Sequence, residues 1–100
     1  MTISEVMDIL DREAVDLKPT HRAVLQAIRV KPYKVPVESD PGETVVVVAE
    51  YRGAVLYWSD IEEGWEFEPL SPQGAISQRG SNQYLLAHVM HQVFGPGEQV

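Results

Sequence analysis

Apolar and polar positions divide the chain into a helical beginning, an extended middle and a helical end. Ile3, Val6, Met7, Leu10, Ala14 and Leu17 share one stripe at about 100° per residue, with Glu5, Asp8, Arg12 and Asp16 opposite. This spacing predicts an amphipathic helix from Ile3 to about Leu17, opened by a capping box with Thr2 as N-cap and Glu5 at the third helical position. Pro19 ends it, because proline disfavours helical geometry in the residue before it. Thr20 is placed to cap a second, shorter helix that turns Val24, Leu25 and Ile28 inward and Arg22, Gln26 and Arg29 outward.

From Val30 to Val37 the pattern turns extended. Tyr33, Val35 and Val37 alternate with interruptions at Pro32 and Pro36, so the segment reads as an edge strand or a polyproline-like stretch. Asp40-Pro41-Gly42-Glu43 is a turn by its residues. The stretch Thr44 to Leu70 then organises the fold. Val45 to Val48 are four consecutive β-branched residues, apolar on both faces, which predicts an interior strand. Tyr51, Arg52 and Gly53 turn the chain, Ala54 to Ser59 returns antiparallel, and Asp60 to Gly64 turns it again. From Trp65 the alternation puts Trp65 and Phe67 on one face and Glu66 and Glu68 on the other, which is expected to be wet.

Ser71 to Gly80 is rich in Ser, Pro, Gln and Gly and reads as a loop, with room for one short strand around Ala75 to Ser77. Ser81 then fits as N-cap of a last helix, Asn82 to Phe94, stopped by Gly95-Pro96-Gly97, with residues 95–100 expected to fray. Leu86, Val89, Met90 and Val93 form its apolar face, while Tyr84, His88 and His91 lie together on the other side. The expected class is α+β: one domain, an antiparallel sheet of three to five strands, two N-terminal helices and one C-terminal helix packed on one face.

Composition narrows the function. With no cysteine, disulfides, thiolate catalysis and thiolate metal sites are excluded. No basic flank precedes an apolar stretch at the N-terminus and no apolar run approaches membrane-spanning length, so a cytoplasmic, non-membrane protein is the expectation. The net charge of −7 argues against nucleic-acid binding, which needs basic surface. That charge is segregated. Lys18, Arg22, Arg29, Lys31 and Lys34 lie in a segment without acids, whereas Glu38 to Glu68 holds nine acids and only Arg52. Such separation either steers a partner or lets the two segments neutralise each other across the fold.

Candidate chemistry is sparse. His88 and His91 are three apart, close enough to share a metal, but a zinc site needs further ligands, so neither metal nor cofactor is expected. Asp60, Glu62 and Glu63 gather beside the tryptophan strands in a loop too short for calcium and without EF-hand spacing. Trp58, Trp65, Tyr57 and Tyr51 read as core and cross-strand aromatics, part of which would form a binding surface on an open sheet face. There is no Gly-x-Ser-x-Gly elbow and no phosphate-binding glycine loop. A noncatalytic protein-binding domain is the reading. Its candidate contact residues are Tyr51, Trp58, Asp60, Glu62, Glu63, Trp65, Tyr84, His88 and His91, with a basic patch at Arg22, Arg29, Lys31 and Lys34. Three short helices cover one sheet face, so the other is expected to stay partly open or to be covered by another chain, most commonly a second copy. The layout of Val45 to Phe94 is similar to that of small bacterial immunity and adaptor proteins, which implies binding of a toxin or enzyme through an acidic surface. The alternatives are a small-ligand or metal-dependent protein using the helix histidines and a nucleic-acid mimic.

Overall fold

The computed structural model describes residues 1–78, 80 and 82–97. In chain order the elements are α1 (Ile3–Ala14), α2 (Pro19–Ile28), β1 (Arg29–Pro36), β2 (Thr44–Tyr51), β3 (Ala54–Ser59), β4 (Gly64–Pro69) and α3 (Leu86–Phe94). The strands form one antiparallel meander in the order β1-β2-β3-β4, so the expected α+β class is the observed one.

α1 opens on the capping box. Glu5 N–H donates to Thr2 Oγ1 at 3.1 Å, and Thr2 N–H donates to Glu5 Oε1 at 2.9 Å. The helix stops at Ala14, about a turn before the expected Leu17, and Arg22 reaches back from α2 to the carbonyls at and just beyond its end. Its Nη2 donates to Val15 O and Leu17 O, both at 3.0 Å. Leu17 is buried all the same. Thr20 does not cap α2. Pro19 starts that helix, where its missing N–H costs nothing, and the Thr20 hydroxyl donates instead to Gly97 O.

β2 is apolar on both faces because both faces are covered. A bulge between Val47 and Ala49 puts Val46, Val48 and Ala49 into one core with Val6, Leu10, Leu25 and the α3 residues Leu86, Val89 and Met90. Val45 and Val47 face the other way, into a second core with Val35, Val37, Val55, Tyr57 and Ile76. The expectation of an open or partner-covered face is thereby corrected: the chain's own segment after β4 folds back over it. Gly74, at φ +75°, makes the turn, Ser71 N–H donates to Ala75 O at 2.8 Å, and Ile76 bridges Val37 in parallel. Nor is the outer face of β4 wet. Glu66 is only 7% exposed, and its Oε1 accepts Asn82 N–H at 3.2 Å.

α3 begins at Leu86, not at Asn82. Residues 82–85 run alongside β4 instead, where Trp65 N–H donates to Tyr84 O at 2.9 Å. Gly64 permits this approach, since a Cβ there would lie 2.7 Å from Gln83 Cα. Ser81, the expected cap, lies outside the described residues. The N-terminus of α3 is served by Glu13 of α1, whose Oε1 accepts Leu86 N–H at 2.9 Å. At the other end, residues 95–97 are held. His21 Nε2 lies 2.8 Å from Gly95 O, and Lys18 Nζ donates to Pro96 O at 2.7 Å. Of the tail expected to fray, 95–97 carry these contacts and 98–100 lie outside the described residues.

Candidate functional site

The length of β3 separates the residues singled out in the sequence into two groups. At the β2–β3 end, Arg52 and Gly53 both have positive φ, as a two-residue type I′ hairpin requires. Tyr51 sits there, half-buried, its ring 5.0 Å edge-on from Phe94 and 5.2 Å from the Arg52 guanidinium carbon. At the β3–β4 end, about 20 Å away by strand rise, are Trp58, Trp65 and the turn Asp60–Glu63. Tyr51 is thus not brought to the other candidates.

Trp58 and Trp65 are direct cross-strand partners, edge to face with centroids 5.2 Å apart. Both are largely buried, and both indole N–H groups are engaged. Trp65 Nε1 donates to Glu13 Oε2 at 3.2 Å and Trp58 Nε1 points at Met1 Sδ at 3.0 Å. They are core residues with only a rim of Trp58 at the surface. Beside that rim, Met1, Ile9, Arg12 and Glu13 of the α1 side meet Asp60 and Glu63 of the turn around an open depression of about 580 Å³. The turn stands over it. Glu63 takes positive φ to close the turn, and Ile61 at its tip is 64% exposed. Sequence reasoning passed over Ile61. Its signal was one large apolar residue in a turn otherwise made of carboxylates.

Tyr84 and His88 lie in edge contact, centroids 6.4 Å apart, and His88 and His91 are exposed on α3. Among the described residues no three His, Asp or Glu side chains come together as a metal site. His21 is elsewhere, buried against the 95–97 segment. The basic patch is dispersed. Arg22 serves the end of α1, Arg29 pairs with Asp11 at 3.6 Å, and Lys31 and Lys34 are exposed on β1. Lys34 lines a crevice together with Met1, Trp58 and Asp60.

A polar cluster that the sequence did not reveal lies on the second sheet face. The buried Tyr57 hydroxyl donates to Glu68 Oε2 at 3.1 Å and accepts Gly80 N–H at 3.0 Å. Burial raises the Tyr57 phenol above its ordinary value. Burial also raises the Glu68 carboxyl; the Tyr57 hydrogen bond opposes this and the Glu66 charge adds to it. Tyr33, donating to Glu50 at the rim of this face, is pushed up to about 12, chiefly by desolvation. Tyr57 and Glu66 thus fasten Gly80 and Asn82 to the sheet.

No helix among the described residues is long and apolar enough to cross a membrane. No family model, no curated protein and no solved structure matches the chain.

Proposed function

We propose that the chain acts without catalysis, as an adaptor or inhibitor that binds another protein through its β3–β4 turn. The observation that supports this is Ile61, 64% exposed between Asp60, Glu62 and Glu63 and beside the Trp58 depression. An isoleucine kept in water forgoes about 1.5–3 kcal/mol that burial returns, and a partner surface supplies that burial. The carboxylates around it set the register and speed of encounter with a basic surface. Fixing the turn to Trp65, Gly64 and the 82–84 segment gives it a rigid base.

Affinity capture from the source lysate, followed by native mass spectrometry, tests this reading with the wild type, Ile61→Asp, and the triple change Asp60→Asn, Glu62→Gln, Glu63→Gln. The expected result is a stoichiometric protein held by the wild type and held about tenfold less by each variant. Equal capture by all three, or no capture by the wild type, rejects the reading.

A further inference from the structure

We propose that the Ile61 tip also docks into the groove between α1 and α2 of a second copy of this chain, an inference that rests on reading the turn as a binding element. The groove is floored by Leu25 and Ala14 and flanked by Val15, Arg22, Gln26 and Arg29, with a volume of about 330 Å³. Val15, at 71% exposure, is the most exposed large apolar side chain among the described residues. Groove and turn are opposite in kind at each level. The turn offers one large apolar side chain ringed by three carboxylates. The groove offers an apolar floor with two guanidiniums against the single carboxylate of Asp11. Nε and Nη2 of Arg22 are used on main-chain carbonyls, and its charge faces the same groove.

One copy cannot satisfy itself. Ile9, Arg12 and Glu13 face the turn, whereas Asp11, Ala14 and Val15 face α2, so α1 stands between the two surfaces. Pairing through sheet edges is blocked as a route to association: β1 carries Lys31, Pro32, Lys34 and Pro36, and β4 is flanked by residues 82–84. A net charge of −7 on each copy opposes encounter, so the contact is expected to be weak and to strengthen as salt screens that repulsion.

Sedimentation velocity from micromolar to millimolar concentration tests it, using the wild type, Ile61→Asp, Val15→Asp and an equimolar mixture of the two variants. Both positions are exposed, and an unchanged urea midpoint verifies folding. The wild type is expected to associate, and each variant alone to associate about tenfold more weakly. The mixture is expected to regain a one-to-one complex, because one copy keeps its turn and the other its groove. A wild type that stays monomeric throughout, or a mixture no better than either variant alone, overturns the proposal. If the wild type is monomeric yet Ile61→Asp still loses a captured protein, only the self-docking fails. If capture is also unaffected, the reading of the turn fails with it.

Discussion

One carboxylate serves three elements. Glu13, on α1, accepts from the first N–H of α3 and from the Trp65 indole of β4, so its removal leaves two donors without acceptors in the partly buried seam. At about 1–3 kcal/mol for each abandoned donor, Glu13→Ala should lower the unfolding free energy by about 2–4 kcal/mol, and Glu13→Gln, which keeps one acceptor, by less. Urea unfolding followed by tryptophan fluorescence measures both; equal losses would contradict the two-acceptor role. Glu5 and Glu68 give opposite pH signs. Hydrogen bonds from Thr2 hold Glu5 below its ordinary value, so its contribution is present above that value and lost as pH falls. Glu68 is raised, so its contribution is complete below the ordinary carboxylate value and lost as pH rises through its folded value. Glu68→Gln should therefore gain stability relative to the wild type between mildly acid and neutral pH, since the amide oxygen still accepts from Tyr57. A gap that shrinks over that interval would refute the assignment. The capping box was legible from four adjacent residues. Glu13 was not, because its partners lie 52 and 73 positions away.

At the scale of elements, the segment after β4 determines whether the sheet is closed. Ile76 is fully buried against Val37 and Tyr57, although it stands in a stretch whose Ser, Pro, Gln and Gly content resembles an ordinary loop. Ile76→Ala should cost about 2–5 kcal/mol and raise binding of an apolar dye, as measured by denaturant titration and dye fluorescence. A loss within ordinary surface values of about 0.5 kcal/mol would mean the segment does not close that face. Local patterns served the strands well: β3 runs over the residues expected of it, and the two-sided apolar run of β2 marks it as interior. They failed where a long-range contact competes with a local preference. Residues 82–85 carry no strong helix breaker, yet they lie extended along β4 because Gly64 and the Trp65 N–H receive them there. The bulge in β2 was equally hidden, since four valines in a row carry no mark of register.

For the molecule as a whole, closing both faces moves the question of binding from the sheet to its ends. The sequence showed the segregated charge and the carboxylate turn. It also marked the tryptophans as core or cross-strand residues, but it did not show that Tyr51 stands a strand's length from that turn or that Val15 remains exposed between two helices. What the fold leaves outside is an apolar tip in an acidic ring and, across α1, an apolar groove with two guanidiniums. Amide chemical shifts recorded across a dilution series from micromolar to millimolar test the pairing of these two surfaces most directly. The account predicts that residues 60–64 and the groove residues around Val15, Gln26 and Arg29 shift together along one binding curve, while residues 31–36 of β1 and the Tyr51 hairpin stay fixed. Shifts confined to the β1 edge, or none at all, would contradict it.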